Sequence, residues 1–519
     1  MRKSILLTVS PEIYADSVQL EKIISRKAGI DPKYLSYAIN KESLDARKIP
    51  VYHLDITVSN NNDLPSIEPE PFLNVSNSMK VVVVGAGPCG MMASLKLIQK
   101  GLKPIIVERG SEVGKRKKDI ADIVRNEPVN EESNFCFGEG GAGTFSDGKL
   151  FTRSNKKGNV EEVLKLLVYF GADKSILYKA HPHIGTDVLS RIVKNIREKI
   201  IQCGGEYRFD TKVVNFIIRN GEVSGVTTSQ GEDIIASRVI LATGHSAKDI
   251  YKLFYDNNWL IEAKPFAMGV RVEHPQELIN EIQYGKRVGE RPQRFDKHLL
   301  PPAEYSLTAQ SNGRGVFSFC MCPGGVVVPT PEKEGIMVVN GMSNSSRSSE
   351  FANSAVVVTV NEEDAREYRD FGALSLLKFQ QKWEQLMYFN KRICPAGRLD
   401  DFMQGKVSSL LARSSYKPGL VSVNMEERLP TFVSDSLKSG FEVFNRKMKG
   451  FITKEANIIG LESRTSSPVR IVRDKITMQH PQLKNLYPCG EGAGYAGGIT
   501  SSAIDGINAA KKIAEELGI

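Results

Sequence analysis

The segment VVVVGAGPCG, residues 81–90, narrows the fold of this chain more than any other. Val81–Val84 is a continuous β-branched run, the pattern of a strand buried on both faces of a parallel sheet. Directly after it, Gly85, Gly87 and Gly90 stand in G-x-G-x-x-G spacing, with Pro88 and Cys89 between the last two. A helix follows, with Met91, Met92, Leu95 and Ile98 on one side and Gly101 as its stop. The next apolar stretch, Pro104–Val107, reads as a second strand and ends at Glu108, eighteen residues past Gly90. Each part has a physical task. Gly85 permits a tight turn, Gly87 lets a diphosphate approach the backbone, and Gly90 lets helix and strand pack closely. The free amides and positive end of the helix face the diphosphate, while Glu108 can accept hydrogen bonds from a ribose diol. Strand, glycines, helix and distal acid together make a dinucleotide-binding βαβ unit.

The bulk properties leave that unit in an ordinary soluble setting. No apolar run approaches the roughly 20 residues of a membrane span. MRKSILLTVSPE turns polar too soon for a signal peptide, and its alternation at Ile5, Leu7 and Val9 reads as a strand. Seven scattered cysteines in 519 residues do not suggest a disulfide framework, so a reducing cytoplasm is expected. The net charge of +9 lies almost entirely outside residues 1–75, with basic clusters at Lys115-Arg116-Lys117-Lys118 and from Lys286 to Lys297. Such clusters read as a solvated face, or as a surface for nucleic acid, an anionic cofactor or an acidic partner.

Around the βαβ unit the chain divides further. Residues 1–58 read as a small α/β module: strand Ile5–Val9, helix Ser17–Ala28 stopped by Gly29, and strand Val51–Val58 with Tyr52, Leu54, Ile56 and Val58 on one face. Residues 59–78 are polar and proline-bearing, as in a linker. Val188, Ile192, Ile196 and Ile200, opened by Thr186-Asp187 and closed by Gly204-Gly205, predict a helix. Residues 206–242 predict strands turned at Asn220-Gly221, and the 250–455 region mixes short strands with helical patterns.

Three later features distinguish FAD from NAD as the dinucleotide: the strand ending in Leu241-Ala242-Thr243-Gly244 after a β-meander, Gly490-Glu491 closing the strand of LYPCGEGAG, and the final helix whose start carries Gly497, Gly498, Ile499 and Thr500. With VVVVGAGPCG and IIVERG they resemble the FAD-binding domain of glutathione-reductase-type flavoproteins. That resemblance implies that the Gly490-Glu491 pair meets the ribityl chain, with Glu491 in place of the usual Asp, and that the last helix aims its N-terminus at the flavin pyrimidine ring. The longer segments NFCFGEGGAGTFSDGKLFTR, HPHIGTD, KPFAMGVRVEHP, FCMCPGG, VVNGMSN and GEGAGYAGGITSSAIDGI are similar to a bacterial family of FAD-dependent dehydrogenases, or NAD(P)/FAD-dependent oxidoreductases, over nearly the whole chain. The family implies FAD and redox chemistry but no particular substrate.

The expected fold is therefore α/β: a Rossmann-type FAD-binding domain (76–250 and 456–519) split by an inserted α+β substrate domain (251–455) and preceded by the N-terminal α/β module and linker (1–75). Five glycines between Gly138 and Gly148 make a loop suited to close backbone approach, with Ser146, Asp147 and Lys149 as polar points. The expected FAD residues are Gly85, Gly87, Pro88, Cys89, Gly90, Glu108, Arg109, Gly140, Gly141, Ala142, Gly143, Thr144, Lys149, Val214, Thr243, Gly244, Gly490, Glu491, Gly497, Gly498 and Ile499. Residues 250–455 contain no second G-x-G-x-x-G after a strand, so NAD(P)H as a transient electron donor would dock without a Rossmann unit of its own. The substrate itself or a protein electron partner are the other sources.

Candidate catalytic residues are Cys320, Cys322, His183, Arg271 and Lys149, with His181, His274, Asn340 and Arg347 as further polar groups. No spacing resembles a zinc site. In an extended strand Cys320 and Cys322 would share a face about 6.6 Å apart, near the upper limit for a disulfide. Thiol redox chemistry, lining of a substrate pocket and plain packing all remain open for the pair. The expected function is hydride transfer through flavin N5 to or from a small-molecule substrate. Action on tRNA or another nucleic acid, and electron carriage without catalysis, are the alternatives.

Overall fold

The computed structural model describes residues 2–61, 63–64, 66–151, 158–285 and 299–519. The basic cluster Lys286–Lys297 and the end of the 134–153 segment, Thr152 and Arg153, lie outside the described residues.

The glycine-marked unit forms as its sequence dictates. Strand Lys80–Val84 pairs in parallel with Lys103–Val107 on one side and Arg238–Leu241 on the other. Glu206–Arg208 and Leu486–Pro488 add the two edges, giving a five-stranded, wholly parallel sheet. Its central strands are buried on both faces, which explains the unbroken valine run. Helices Pro88–Gln99, Thr186–Gln202 and Ile499–Glu516 pack with it in one apolar core. A three-stranded meander, Val213–Arg219, Glu222–Thr228 and Asp233–Ile235, leads into the strand Arg238–Leu241. Asn220 and Gly221 both take positive φ at its first turn, as a two-residue hairpin requires. This parallel five-stranded sheet flanked by helices is a Rossmann-type arrangement, as the glycine-marked βαβ unit predicts.

A second unit is built on a seven-stranded sheet in the order Thr308–Ser311, Arg314–Cys322, Phe351–Val360, Phe266–Pro275, Asn457–Glu462, Cys394–Arg398, Leu420–Ser422. All pairs are antiparallel except the last. Helix Thr431–Lys447 buries Val433, Leu437, Phe441 and Phe444 in that sheet's core cluster. The strand Asn457–Glu462 belongs to this sheet by hydrogen bonding, so the sheet runs past residue 455. A two-stranded link, Ile261–Ala263 with Val469–Ile471, marks where the chain enters and leaves.

The N-terminal module is an antiparallel sheet in the order Arg2–Val9, Val51–Ser59, Ser36–Asp45, covered by helix Ser17–Ala28. Tyr52, Leu54, Ile56 and Val58 are buried on one face, as their alternation predicts. The module is tied to the rest through Glu42, whose backbone N–H donates to Tyr178 O at 2.8 Å and whose carbonyl accepts from Ala180 at 3.0 Å. The linker is anchored over residues 70–76: Glu70 pairs with Lys96 (3.1 Å), Phe72 packs against the first unit's core, and Val75 is fully buried with its N–H donating to Cys203 O. Among the described residues no helix is long and apolar enough to cross a membrane.

Candidate active site

Nine stretches of chain, from both units, meet around one cavity of about 340 Å³, inside the range of roughly 300–1,000 Å³ usual for small-molecule and cofactor sites. From the first unit come Gly85, Gly87, Pro88, Cys89, Glu108, Arg109, Thr243, Gly244 and Glu491. The glycine loop gives Gly141, Ala142, Gly143 and Lys149, and the last helix gives Gly497, Gly498 and Ile499. Phe319, Cys320, Asn340, Arg464 and Thr465 close it from the second unit.

The backbone at the first turn is shaped for close approach. Gly85 has φ +105°, and a Cβ there would sit against the carbonyl of Ala242. Helices Pro88–Gln99 and Ile499–Glu516 start at Gly87 and Gly498, and in neither does a side chain cap the first amides. Both N-termini border the cavity, so donors and positive dipole ends are offered to an anionic ligand from two sides. Glu108 is buried and accepts from the amides of Ala86 (2.8 Å), Gly110 and Gly138 (both 2.9 Å). A carboxylate has about four acceptor positions, so one remains for a hydroxyl. Arg109 is shared between Glu132 and Asp249 and lies over the Phe137 ring, which holds it at the cavity edge.

The glycine loop is held from beneath by Arg116. This residue is fully buried and donates to the carbonyls of Asn134 (2.8 Å), Phe135 (2.9 Å), Glu139 (2.8 Å) and Gly141 (2.8 Å). It therefore does not belong to the solvated basic cluster that its neighbours Lys115, Lys117 and Lys118 suggested. Burial brings its guanidinium down to about 10, against the pull of Glu108 and Glu139.

Beyond the loop, Asp147 is fully buried and pairs with Lys149 Nζ (2.8 Å) and Arg347 Nη2 (2.7 Å), and accepts from the Ser343 hydroxyl. Burial alone would raise its carboxyl, but the two cations outweigh it and hold the group below the ordinary carboxylate range. A folded-state value below the unfolded one stabilises the protein above about pH 4, and the gain is lost as pH falls through the depressed value. Because Arg347 comes from the second unit, this pair also fastens the two units together. Asp147→Ala is expected to cost about 3–5 kcal/mol, read by urea denaturation at neutral pH, since it takes the main partner from the buried Arg347 as well as from the half-buried Lys149.

The FCMCPGG segment departs from the extended strand expected. The register shifts between Phe319 and Cys322, and Cys320 takes φ +49°, left-handed for a residue with a side chain. This β-bulge costs about 1–3 kcal/mol locally and is maintained by its surroundings. Arg271 donates to Cys320 O (3.3 Å) while bound to Glu462 (2.9 Å), Asn353 (2.8 Å) and Asn340 (3.1 Å). Cys320 borders the cavity, whereas Cys322 is fully buried with Sγ 3.3 Å from Cys320 O and 3.9 Å from Lys149 Nζ. Hydrogen bonding from Cys322, aided by the Lys149 and Arg271 cations and opposed by burial, brings the Cys320 thiol down to about 5. Hydrogen bonding to Cys320 and burial push Cys322 up. Iodoacetamide labelling of Cys320 is therefore expected to persist well below pH 8 and to fall as pH drops through about 5, measured by peptide mass.

Several expected residues lie elsewhere. Val214 points outward and is 40% exposed, while its neighbour Val213 lines the cavity, because successive strand residues face opposite ways. Gly90, Gly140, Thr144 and Gly490 sit behind the wall. At Gly90 a Cβ would overlap Gly85 O, which is the close helix–strand packing expected of it. Arg271 is fully buried and off the cavity wall, so it positions the bulge and does not meet a ligand. His183 is also off the wall, donating Nε2–H to Ser345 O (3.3 Å), with burial and Arg347 bringing it down to about 4. His274 is fully buried against Phe451. Sequence reasoning missed His245, which lines the cavity 3.0 Å from Glu491, although it directly follows Thr243-Gly244. It also missed Arg464, paired with Glu332 and Glu384 alongside Lys248, because SRTSS reads as an undistinguished polar loop.

Comparison with known proteins agrees with this architecture. Residues 79–253 match the pyridine nucleotide-disulphide oxidoreductase family, residues 265–465 the FAD-dependent protein C-terminal domain-like family, and residues 1–59 a domain of unknown function. An uncharacterized protein of Clostridium beijerinckii is 39% identical over a 526-residue alignment covering 96% of each chain. Among solved structures, a geranylgeranyl bacteriochlorophyll reductase-like protein of Thermoplasma acidophilum aligns over 85% of this chain and 80% of its own at 15% identity and a TM-score of 0.36. Glycine oxidase of Bacillus cereus aligns over 85% and 96% at 14% identity and a TM-score of 0.32. The chain belongs to the family of FAD-dependent proteins that join a pyridine nucleotide-disulphide oxidoreductase domain to an FAD-dependent C-terminal domain.

Proposed function

We propose that this protein binds FAD in the inter-unit cavity and uses it as an oxidoreductase on a small substrate. The observation that carries the reading is the convergence on one cavity of the first glycine turn, Glu108, the glycine loop, Thr243-Gly244, Glu491 and the start of the last helix. The residues fit the cofactor. The space in front of Gly244, Gly497 and Gly498 is open where side chains would stand, and a Cβ at Gly87 would meet only Gly141 Cα, at 3.8 Å. Two uncapped helix starts suit the diphosphate and the electron-rich end of the ring system, and Glu108 suits a ribose hydroxyl. When bound, FAD supplies two-electron chemistry at its ring N5.

The chain's own residues do the rest. Lys149, anchored by Asp147, holds a positive charge at the cavity wall that favours an anionic ligand or a developing negative charge. Asn340 offers a polar contact, and Phe319 and Cys320 bound the wall from the second unit. Glu491 and His245 can hold or exchange a proton across their 3.0 Å contact. Electrons arrive from NAD(P)H, from the substrate or from a protein partner, and anaerobic bleaching with NADH, NADPH and a metabolite panel separates these routes. Gly87→Val is expected to leave the fold intact and abolish flavin retention, since φ there is −77°, the residue lines the cavity, and its Cβ would meet only Gly141 Cα within 4 Å. Normal flavin content in a folded Gly87→Val protein would contradict the placement.

A further inference from the structure

We propose that Cys320 and Cys322 form a reversible dithiol–disulfide couple, with Cys320 as the attacking thiolate and Cys322 as the resolving thiol, so that the substrate class of this cavity is a small disulfide or the thiols it yields. As a substrate assignment this rests on the flavoprotein reading above; as thiol chemistry it is tested without regard to flavin. The pair lies in the second unit, outside residues 79–253, so the disulphide oxidoreductase match does not supply it.

Four observations carry the inference. The strand runs on through the bulge, where Cys322 Sγ approaches the residue bearing the other thiol, 3.3 Å from its carbonyl oxygen. The two residues differ in access: Cys320 borders the cavity and is half-buried, and Cys322 is fully enclosed. That is the arrangement needed when one thiol must meet substrate and the other must meet only the first. The enclosure is close on the Cys322 side. A Cβ at Gly341 would come 3.0 Å from Cys322 Sγ, and one at Gly325 would come 2.9 Å from Cys322 Cβ. Finally, Lys149 Nζ stands 3.9 Å from Cys322 Sγ, while Arg271 fixes the Cys320 carbonyl, so cations stand where thiolate charge moves.

The exchange balances without another reagent. The Cys320 thiolate attacks one sulfur of a disulfide R–S–S–R, the R–S–S–R bond breaks, and RS⁻ leaves, taking a proton from the Lys149 ammonium. Lys149 then takes the proton of Cys322, whose thiolate attacks Cys320 Sγ and releases a second RS⁻. The protein dithiol has lost two electrons and the substrate disulfide has gained them. A low-molecular-weight disulfide is the fitting class, because Cys320 lies within a cavity wall and not on an open surface.

The test is disulfide mapping on the full-length purified protein exposed to 2-hydroxyethyl disulfide. Wild type is expected to yield a Cys320–Cys322 linkage, two hydrogens lighter than the dithiol. Cys322→Ser, checked for an unchanged thermal unfolding midpoint, is expected to stop at a mixed disulfide on Cys320. Lys149→Met is expected to slow formation of that adduct about tenfold at neutral pH. The wild-type map alone keeps the proposal falsifiable if the variants fail to fold. Linkage of Cys89 to Cys489 instead, whose sulfurs lie 3.1 Å apart, would overturn it, as would a Cys320 no more reactive than Cys136. Flavin with an unreactive Cys320 would refute this couple alone, and a Cys320–Cys322 linkage in a protein that takes up no FAD would refute the flavoprotein reading alone.

Discussion

Arg116→Met is expected to remove about 3–5 kcal/mol of stability and, with it, the protein's hold on FAD. The size follows from what the guanidinium does. It is fully buried, lies 4.9 Å from the Phe145 ring centroid, and makes its four shortest hydrogen bonds to main-chain carbonyls. Methionine preserves much of the volume but leaves the carbonyls of Asn134, Phe135, Glu139 and Gly141 without their donor. Each orphaned buried acceptor costs about 1–3 kcal/mol before relaxation. These carbonyls belong to the loop that brings Gly141, Ala142 and Gly143 to the cavity, so stability and cofactor retention fall together. Arg116→Lys keeps the charge but cannot spread donors over four acceptors, and is expected to recover only part of the loss. Urea denaturation followed with flavin absorbance measures both effects. An unchanged midpoint in Arg116→Met would show that the loop does not depend on this residue.

Gly90→Ala is expected to be comparably severe, at about 3 kcal/mol or more, for a different reason. The added carbon would overlap the carbonyl oxygen of Gly85, lie 3.1 Å from its carbon and press on Val83 Cγ1 at 3.2 Å. The two nearest atoms are main chain of Gly85, in a turn held at positive φ, so they cannot rotate aside. Helix Pro88–Gln99 must then move off the sheet, and it carries Pro88 and Cys89 of the cavity wall. Gly244→Ala makes the control, because nothing lies within 4 Å of the carbon it adds. A thermal melt should separate the two by many degrees, with Gly244→Ala near wild type. Equal midpoints would refute the close-packing account of Gly90.

These residues also show what can be read from a chain and what cannot. The βαβ unit was legible because its signals are local: a valine run, glycines at fixed spacing, and an acid at the next strand's end. The helices Ser17–Ala28 and Thr186–Gln202 were legible from apolar periodicity and their flanking stops. Strand Ser36–Asp45 was not, since SYAINKESLD lies at a sheet edge, largely half-exposed, and carries no clean alternation. Arg116 was misread because a basic tetrapeptide gives no sign of which member turns inward; the answer lies in carbonyls 18 to 25 residues away. The Cys320 bulge was equally invisible, because its left-handed residue is not a glycine and is maintained by Arg271 and its buried partners. Val213 and Val214 could be told apart only by knowing which face of the strand meets the cavity.

The most direct test of the account is the flavin content of the full-length protein. Purified wild type, or protein incubated with FAD and desalted, is predicted to show a bound flavin absorbance band and to release FAD on denaturation. A folded protein with no such band, no FAD released and none taken up on addition would contradict the central claim.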